Sequence, residues 1–427
     1  MDAIQQIFLR DAMRRLNMTR DAFAKRIGSK RRTLDSWLLP ESSGEFREMP
    51  DIARQYITEL LSHTTPYQQN TQSVYSTCPW QPLAGGSSRH LLSIRQFTRD
   101  RVEDVFRLAD IMRPIAQRRM VSRVLEGAVL ANLFFEASTR TRISFGAAFN
   151  RLGGSVCDTT GFTFSSMAKG ESIADTSRVI SGYVDAVVVR HPEEGAVAEF
   201  AAATNIPVIN GGDGPGEHPT QALLDLYTIQ REFSVLDKEV DGCHIAMIGD
   251  LKYGRTVHSL IQLLALYRGL KFTLISPPSL TMPQAIIDAA SRGGHVVEVK
   301  HDPLTSLSQA DVVYTTRIQR ERLGGEAIEG LDNRFAISKA LIETCCQPNV
   351  VIMHPLPRDS RPNSIDLSVD LDDDRRLAIF RQTDNGIPIR MALFAFALGV
   401  DHLVQSTMRE ATWWSPKNVG HNDVEFK

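Results

Sequence analysis

Short apolar runs alternate with amphipathic stretches over most of this chain, and this alternation constrains the fold more than any other feature. The runs occupy residues 128–135, 186–189, 206–209, 244–248, 272–275, 296–299, 311–314 and 350–353. Apolar runs of about four to eight residues between helical segments are typical of parallel strands joined by helices. About 300 residues of such sequence predict two α/β domains with doubly wound parallel sheets. Functional residues are then expected at the carboxyl ends of the strands.

Length and charge narrow the class of protein further. A chain of 427 residues and 47.6 kDa exceeds one ordinary core and predicts two or three domains. The 48 Lys+Arg and 50 Asp+Glu residues give a net charge of −2, which excludes the polyelectrolyte character of a dedicated nucleic-acid coat. No apolar run approaches the roughly 20 residues that span a bilayer, and the first residues lack the apolar centre of a signal peptide. We therefore expect a cytoplasmic protein without a membrane partner.

The cysteines also favour a cytoplasmic location. Five cysteines are scattered along the chain, and no Cys-x-x-Cys pair or Cys/His cluster occurs. An odd count without clustering argues against a disulfide framework and against a structural zinc site. We expect a reducing environment and no metal site.

Residues 1–62 have the pattern of a small all-helical domain. Three short amphipathic segments occupy residues 4–16, 19–28 and 29–38, and a fourth follows Pro50. Thr19 and Ser29 are the expected helix caps, and Gly28 is the expected stop between them. The apolar side of the fourth segment is expected to comprise Ile52, Tyr56, Ile57, Leu60 and Leu61.

This arrangement resembles the helix-turn-helix of phage-repressor-like regulators, in which the helix after the turn enters the major groove. Two aspartates, Asp11 and Asp21, stand against nine basic residues, a local excess of +7: Arg10, Arg14, Arg15, Arg20, Lys25, Arg26, Lys30, Arg31 and Arg32. Such a face suits phosphates. A docking or assembly domain with a basic, solvated side has the same pattern, and residues 33–62 are not basic. Nucleic-acid binding therefore stays open.

Two other segments lack the period of a helix or a strand. Residues 63–88 are polar and contain Pro79, Pro82 and a pair of glycines at 85 and 86, which predicts a linker. Residues 405–427 are expected to form a C-terminal tail. Trp413 and Trp414 within it favour docking of part of the tail on the rest of the chain.

The segment 134–142 carries the sharpest chemical signal. A strand is expected to end at Phe135, and Ser138 follows where the N-cap of a helix belongs. The first turn of a helix has unpaired N–H groups and the positive end of the helix dipole. Together with Arg140 and the neighbouring hydroxyls, this turn predicts a phosphate-binding site without a glycine-rich loop.

Other loops after expected strands also carry basic or polar groups. They contribute Ser165, Lys169, Arg190, His218, Thr220, Gln221, Arg255, Arg317, Gln319 and the segment 353–358. The chain has no Gly-x-Ser-x-Gly elbow, no Walker motif and no strand followed by Gly-x-Gly-x-x-Gly. Many anion-binding groups and few nucleophile–base pairs indicate group transfer between two bound anions by positioning and electrostatic stabilisation.

These residues occur in the order found in a known family. Residues from about 90 to 404 resemble the catalytic chain of aspartate carbamoyltransferases through segments 135–141, 190–192, 218–221, 249–255, 317–322 and 354–357. The resemblance implies a carbamoyl-phosphate-binding domain over 89–230, completed by a C-terminal helix at about 388–404. It implies an aspartate-binding domain over 231–387.

The resemblance also implies an activity. The carbamoyl group of carbamoyl phosphate would pass to the α-amine of L-aspartate, giving N-carbamoyl-L-aspartate and phosphate. This is the committed step of de novo pyrimidine (UMP) biosynthesis. Neither a cofactor nor a metal ion is implied.

Individual roles follow from the same resemblance. The phosphate would be bound by Ser138, Thr139, Arg140, Thr141 and Arg190. The carbamoyl oxygen would be polarised by Thr141, Arg190 and His218. The carbamoyl amino group would be held by Gln221 and by the backbone carbonyls of Leu356 and Pro357. The aspartate carboxylates would be bound by Arg255, Arg317 and Gln319, with Lys169 spanning both substrates.

Assembly is implied in the same way. Ser165 and Lys169 would come from the neighbouring subunit, so the catalytic unit would be a homotrimer. Glu136 would connect the two domains through Arg255 and Arg322. A regulatory or dihydroorotase-like protein is a further partner that the resemblance leaves open.

Three alternatives remain at this stage. An ornithine carbamoyltransferase would usually have His-Cys-Leu-Pro where this chain has His354-Pro-Leu-Pro357, and two arginines suit a dicarboxylate better than a diamine acid. A regulator that has kept a dead enzyme as a sensor is disfavoured by the intact motifs. A combined enzyme and DNA-binding regulator stays possible because of residues 1–62, whose expected role is assembly or regulation.

Overall fold

The computed structural model describes residues 3–16, 18–39, 43–63, 89–160, 170–318, 335–360 and 366–413. The chain divides into two compact units, Met1–Thr77 and Cys78–Lys427. The expected linker from residue 64 onward, the second half of the tail from Trp414, and the expected site residues Ser165, Lys169, Gln319 and Arg322 lie outside the described residues. The division at 63–88 and the domain boundaries within the second unit stay predictions.

The first unit is helical, as predicted. Its helices are α1 (Ala3–Arg15), α2 (Arg20–Arg26), α3 (Arg31–Trp37) and α4 (Asp51–His63). Thr19 caps α2, its hydroxyl accepting a hydrogen bond from the amide of Ala22 at 3.3 Å. Gly28 has a φ of 67°, the left-handed conformation that ends a helix most easily. The predicted cap and stop of α2 are therefore both present.

Two details of the first unit differ from the prediction. The N-cap of α3 is Lys30, without a side-chain cap, because the hydroxyl of Ser29 faces the carbonyl of Lys30 instead. On α4, Ile57 is fully buried, but Ile52 is 77% exposed and Tyr56 is 43% exposed. Residues 52 and 56 share a face at a spacing of four, and position 57 lies about 100° further round the helix.

The unit is closed by its own small core. Its largest buried side chains include Leu9, Phe23, Leu34 and Trp37. Gln5 is buried with them, and its amide donates to the carbonyl of Trp37 at 3.0 Å while its oxygen accepts from the amide of Met49 at 2.9 Å. One buried side chain thus connects α1 to the ends of two later segments.

The second unit contains two parallel sheets, as predicted. The first has the order β3-β2-β4-β5 and the second the order β10-β9-β6-β7-β8. The strands of the first sheet are β2 (Val129–Phe134), β3 (Ser155–Thr160), β4 (Ala186–His191) and β5 (Val208–Asp213). Those of the second are β6 (His244–Ile248), β7 (Lys271–Ile275), β8 (Val296–Lys300), β9 (Val312–Thr315) and β10 (Val351–Met353).

All eight predicted strands are present, and one strand of the first sheet was missed. The missed strand, β3, lies at the edge of its sheet and has mostly exposed residues. An edge strand with only one partly buried apolar side chain, Val156, needs no apolar run, so Ser155–Thr160 gives no periodic signal.

Helices cover both sheets. They are α5 (Arg99–Ala116), α6 (Thr139–Arg151), α7 (Ile173–Ser181), α8 (Ala196–Ala202), α9 (Pro219–Val235), α10 (Arg255–Leu264), α11 (Gln284–Arg292), α12 (Lys339–Cys345), α13 (Ile379–Leu398) and α14 (Val404–Thr407). The longest, α13, packs on α5, α6 and α9, with Phe394 edge-on to Phe145 and Phe149.

The helix expected at about 388–404 begins nine residues earlier than predicted. It runs from Ile379 to Leu398 and contains Pro388 within it. A buried helix tolerates an internal proline, which lacks the N–H for a hydrogen bond within the helix, when packing on its neighbours compensates. Gly399 follows with a φ of 71° and ends the helix.

Part of the C-terminal tail docks on the second unit. The short strand β11 (Arg409–Glu410) pairs antiparallel with β1 (Met120–Val121). The hydroxyls of Ser122 and Thr407 lie 2.9 Å apart beside this pair. The described part of the tail therefore packs against the segment that follows α5.

Candidate active site

A cleft of about 580 Å³ lies where the carboxyl ends of strands from both sheets meet. Twelve of the predicted site residues line it: Glu136, Ser138, Thr139, Arg140, Thr141, Arg190, His218, Gln221, Arg255, Arg317, Leu356 and Pro357. They come from the carboxyl ends of β2, β4, β5, β6, β9 and β10 and from the segments that follow these strands. The topology thus gathers segments that are up to 221 residues apart in the sequence into one concave surface.

The amino end of α6 forms one wall of the cleft. Ser138 is its N-cap, and within the described residues its side chain makes no capping hydrogen bond. The first backbone N–H groups of the helix are therefore left to face the cleft. The Arg140 guanidinium stands beside them, and partial burial lowers its pKa, although arginine remains charged. This wall is suited to a bound anion.

Glu136 lies between two arginines. Its Oε2 is 3.0 Å from the Arg190 guanidinium and 3.2 Å from that of Arg255. Arg190 also donates to the carbonyl of Gly211 at 3.1 Å, and Arg255 donates to the carbonyl of Gly214. Arg190 lies at the carboxyl end of β4 in one sheet, and Arg255 opens α10 after β6 of the other. This carboxylate therefore connects the two halves of the cleft.

The arginines are packed closely against glycine backbone. Gly212 has a φ of 129°, and a Cβ there would lie 2.5 Å from a terminal nitrogen of Arg190 and 3.3 Å from one of Arg255. A side chain at this position would have to displace Arg190. Glycine is therefore needed for space as well as for conformation.

His218 is the N-cap residue of α9 and is 4% exposed. Burial lowers the pKa of its imidazole well below the usual value, and the charges of Arg190, Arg255 and Arg390 lower it further. The ring is therefore neutral at neutral pH and has one N–H to donate. Its Nδ1 has no hydrogen-bond partner among the described residues. The geometry suits a neutral donor to an oxygen in the cleft.

The turn at residues 354–357 forms the opposite wall. The His354 ring is held at both ends, with Nε2 3.1 Å from the Asp366 carboxylate and Nδ1 accepting from the amide of Leu356 at 2.8 Å. The amide of His354 donates to Oε1 of Gln382 at 3.1 Å. Leu356 has a φ of 57°, and the Leu356–Pro357 peptide is cis. The backbone of this turn is thus fixed by its own histidine.

A buried polar cluster lies behind the cleft. The Asp225 carboxyl accepts hydrogen bonds from the side-chain amides of Gln221 at 2.9 Å and Gln382 at 2.6 Å, and from the Tyr314 hydroxyl at 2.7 Å. Burial raises the pKa of Asp225 to about 7, and the hydrogen bonds from Tyr314, Gln382 and Gln221 oppose this shift. The Arg390 guanidinium lies 4.8 Å from the centroid of the Phe145 ring.

Family models match two consecutive parts of the chain. Residues 89–231 match the carbamoyl-phosphate-binding domain of aspartate/ornithine carbamoyltransferases, and residues 241–397 match the Asp/Orn-binding domain. The chain is also 52% identical over 338 residues to the aspartate carbamoyltransferase catalytic subunit of Dichelobacter nodosus, covering 79% of this chain and 97% of that subunit. The chain belongs to the aspartate carbamoyltransferase family.

Solved structures of the family have the same fold. Aspartate transcarbamoylase of Trypanosoma cruzi in complex with carbamoyl phosphate superposes with a TM-score of 0.66 at 38% identity, covering 74% of this chain and 98% of that one. The same enzyme in complex with N-(phosphonacetyl)-L-aspartic acid superposes with a TM-score of 0.64 at 38% identity, covering 74% and 97%. The expected parallel-sheet architecture and the transferase class are thereby confirmed.

Sequence reasoning missed several residues that line this carbamoyltransferase cleft or lie directly behind it. Arg390, Gln382 and Thr256 also line it, and Asp225 stands behind Gln221. Arg390 carried the clearest signal, a single charge within the apolar segment 387–397. Burial lowers its pKa to about 10, whereas the Asp225 carboxyl opposes this shift. An arginine that is 3% exposed inside a core helix indicates a functional site.

The described parts of the chain contain no group of three or more His, Cys, Asp or Glu side chains that could hold a metal ion. No single described helix has both the length and the apolarity to cross a membrane. The pair Ile379–Leu398 and Asp401–Thr407, bent by 116°, meets that test together by length and composition.

Proposed function

We propose that this chain transfers the carbamoyl group of carbamoyl phosphate to the α-amine of L-aspartate. The products are N-carbamoyl-L-aspartate and phosphate, in the committed step of de novo pyrimidine biosynthesis. The observation that carries the proposal is the convergence of α6 and three arginines, Arg140, Arg190 and Arg255, on one cleft. The solved relatives hold carbamoyl phosphate or a phosphonate analogue that carries aspartate.

The phosphate of carbamoyl phosphate binds at the amino end of α6. The hydroxyls of Ser138, Thr139 and Thr141 and the guanidiniums of Arg140 and Arg190 supply donors around it. A phosphate dianion beside a helix N-terminus and two arginines is stabilised by charge-assisted hydrogen bonds.

The carbamoyl group lies between His218 and the 354–357 turn. Thr141, Arg190 and His218 donate to its oxygen, on which negative charge grows in the transition state. Gln221 and the backbone carbonyls of Leu356 and Pro357 accept from its amino group. Because His218 is neutral, it donates a hydrogen bond without adding a third cation to this end of the cleft.

L-Aspartate binds on the side of the second sheet. Its two carboxylates pair with Arg255 and Arg317, assisted by Gln319 and by Lys169 of the neighbouring subunit. Two arginines favour a dicarboxylate over ornithine, whose side chain is cationic. The 354–357 turn also lacks the cysteine that ornithine carbamoyltransferases usually place there.

The reaction needs no covalent enzyme intermediate. The lone pair of the neutral aspartate amine forms a bond to the carbamoyl carbon, and the bond from that carbon to the phosphate oxygen breaks. Phosphate leaves with the electron pair, and the amine loses a proton. The departing phosphate is our candidate for the proton acceptor, because it is the nearest base that the reaction itself supplies.

Assembly as a homotrimer completes the site. Exposed apolar side chains lie on the helices that flank residues 161–169 in the sequence, with Ile143 59% exposed on α6 and Val179 47% exposed on α7. Tyr183, just after α7, is 72% exposed. Exposed apolar residues near a segment expected to enter a neighbouring site support an interface there. The scattered cysteines support a reducing compartment, the cytoplasm.

The first unit serves assembly or regulation in this proposal, because the family models begin only at residue 89. Two arginines of its basic face form ion pairs with aspartates of the same unit. Arg31 lies 2.7 Å from Asp21 and 3.0 Å from Asp35, and Arg20 lies 3.5 Å from Asp35. A gel shift with pyrimidine-gene DNA, using the full chain and Arg31→Ala/Arg32→Ala, separates DNA binding from docking of a protein partner.

A two-acceptor assay tests the activity. Purified full-length protein is given carbamoyl phosphate with either aspartate or ornithine, and the carbamoylated products are quantified. We expect carbamoyl aspartate as the product and competitive inhibition by N-(phosphonacetyl)-L-aspartate against carbamoyl phosphate. Equal or faster carbamoylation of ornithine would contradict the assignment of the second substrate.

A mixing experiment tests the shared site. Chains with Arg140→Ala and chains with Lys169→Ala are each expected to be nearly inactive. When the two are dissociated and reassembled together, some sites should contain both native residues, and activity should return. Failure of the mixture to exceed its parents, although light scattering shows hybrid trimers, would place Lys169 in its own chain's site.

A further inference from the structure

The Asp225 carboxyl meets three donors in a fully buried position. Its Oδ1 accepts from the amide nitrogens of Gln221 and Gln382, and its Oδ2 accepts from the Tyr314 hydroxyl. Asp225 itself is 0% exposed. The hydrogen bonds from Tyr314, Gln382 and Gln221 favour the ionised form of this carboxyl. A carboxylate offers only acceptors, so in that form each neighbouring amide presents its NH2 and not its oxygen to Asp225.

This requirement fixes the orientation of the Gln221 amide. Gln221 and Asp225 are four residues apart on α9, where side chains at i and i+4 meet on one face. Because the nitrogen of Gln221 is engaged by Asp225, its oxygen is the end left for the cleft that Gln221 lines. An oxygen in that position accepts a hydrogen bond from an NH2 group and offers nothing to a methyl group.

We propose that Asp225 is a positioning residue that locks the Gln221 side-chain amide with its oxygen toward the carbamoyl amino group. This gives the enzyme its preference for carbamoyl phosphate over acyl phosphates of the same shape. The inference rests on the proposed role of Gln221 in the carbamoyl site. Without the lock, the amide can rotate and offer its NH2 to the substrate NH2, which removes the attraction.

The same carboxyl fixes a second amide. Gln382 gives its nitrogen to Asp225, and its oxygen accepts from the amide of His354 at 3.1 Å. The His354 ring then holds the amide of Leu356 at 2.8 Å. Asp225 thus also supports, through Gln382, the turn whose carbonyls face the carbamoyl amino group. Asp225 therefore positions both the Gln221 oxygen and the carbonyls of this turn, which are the proposed acceptors for the carbamoyl amino group.

Tyr314 lies in the second sheet and contacts the cluster through its hydroxyl. It lies in β9, three residues before Arg317, and the Thr256 hydroxyl forms a further hydrogen bond with it. Removing the Tyr314 hydroxyl leaves the bonds from Gln221 and Gln382 to Oδ1 in place. Tyr314→Phe is therefore a matched control that disturbs the cluster without freeing either amide.

Acetyl phosphate is the probe, because it has a methyl group where carbamoyl phosphate has its amino group. The full-length enzyme is assayed for the KM of carbamoyl phosphate and for the inhibition constant of acetyl phosphate as its competitor. The ratio of these constants measures recognition of the amino group. The set comprises wild type, Asp225→Leu, Gln221→Leu, the double variant and Tyr314→Phe.

We expect Asp225→Leu, which has a similar volume and no acceptor, to reduce this preference about three- to tenfold, the scale of one hydrogen bond to a neutral group. Gln221→Leu should reduce it similarly, and the double variant should be no worse than Gln221→Leu alone. Tyr314→Phe should keep the preference. If Asp225→Leu does not fold, Asp225→Ser replaces it, since a smaller residue removes the carboxylate and leaves room for water.

The outcomes separate the two claims. An unchanged preference in the Asp225 variant, together with its loss in Gln221→Leu, would overturn the lock and leave the carbamoyl site intact. An unchanged preference in Gln221→Leu would overturn the role of Gln221 itself. A loss in Tyr314→Phe equal to that in Asp225→Leu would show general loosening of the cluster and would also overturn the proposal.

Discussion

Arg140 and Arg142 carry the same charge on the same helix, two residues apart, but only Arg140 of the two lines the cleft. In our proposal Arg140 stabilises charge that moves onto phosphate in the transition state. We expect Arg140→Ala to lower kcat about 10²–10³-fold, as for loss of one preorganised donor. Arg142→Ala should leave kcat nearly unchanged. Steady-state kinetics of both variants decide the matter, and a near-wild-type kcat for Arg140→Ala would refute the role.

His90 gives the enzyme a pH-dependent stability on the acid side. It is 2% exposed, and its Nδ1 accepts from the amide of Val208 at 3.1 Å. Burial lowers its pKa from 6.5 to about 4. The unfolded chain therefore takes up the proton first, and the stability present above pH 6.5 is lost as pH falls toward 4. The slope from this residue approaches about 1.4 kcal/mol per pH unit in that window.

The measurement is urea unfolding of wild type and His90→Asn at pH 7 and pH 5. Asparagine keeps an acceptor for Val208 but does not titrate. We expect the variant to lose less free energy of unfolding than wild type between these pH values. Equal losses would show that other groups account for the whole acid dependence.

Sequence reasoning predicted that polar groups beside the carboxyl ends of strands lie close together, because the strands of a parallel sheet end at one edge. Arg140, Arg190 and Arg255 are such groups, and they line one cleft. Asp225 lies inside a helical pattern, where a carboxylate looks like part of a solvated face. Its partners are on β9 and α13, so its role follows only from packing between elements distant in the sequence.

At the scale of elements, the burial of a strand or helix determines whether its sequence pattern predicts it. Strands such as β4 are buried on both faces and appear in the sequence as apolar runs. The edge strand β3 is largely exposed and gives no such run. The resemblance implied a helix start at about residue 388, whereas α13 begins at Ile379 and contains Pro388 in a buried position. Local patterns therefore identify elements that are either amphipathic or wholly buried.

Gly212, near the carboxyl end of β5, is needed both for its backbone conformation and for space, and a matched pair of variants separates the two requirements. Gly212 and Gly195 both have positive φ values, 129° and 89°, but a Cβ at Gly195 would meet no atom within 4 Å. Both Gly→Ala variants should lose about 1–3 kcal/mol of stability from backbone strain. Only Gly212→Ala should also lose activity, because its Cβ displaces Arg190 from Glu136.

Thermal or urea unfolding gives the stability of each variant, and the carbamoyl-aspartate assay gives its activity. We expect Gly212→Ala to raise the KM for carbamoyl phosphate or lower kcat well beyond Gly195→Ala. Equal activities in two variants of equal stability would mean that Arg190 adjusts to the added methyl group without cost.

At the scale of the whole molecule, catalysis and the helical unit use separate parts of the chain. Every described residue that lines the cleft comes from the unit Cys78–Lys427. The first unit has its own core around Phe23 and Trp37 and an exposed apolar pair on α4, Ile52 and Tyr56. Exposed apolar residues on a small helical unit favour contact with another protein surface over contact with nucleic acid.

Deletion of residues 1–85 tests whether the first unit is needed for catalysis or for assembly and regulation. The cut spares His90 and Leu91, which hydrogen-bond to β5 and belong to the catalytic unit. We expect the truncated protein to retain carbamoyl transfer, because the cleft keeps all of its described residues. Its subunit number in light scattering, or its response to nucleotide effectors, should change, because the unit that we assign to assembly or regulation is missing. Unchanged mass per particle and an unchanged effector response, measured beside the full-length protein at equal concentration, would remove that role from residues 1–62.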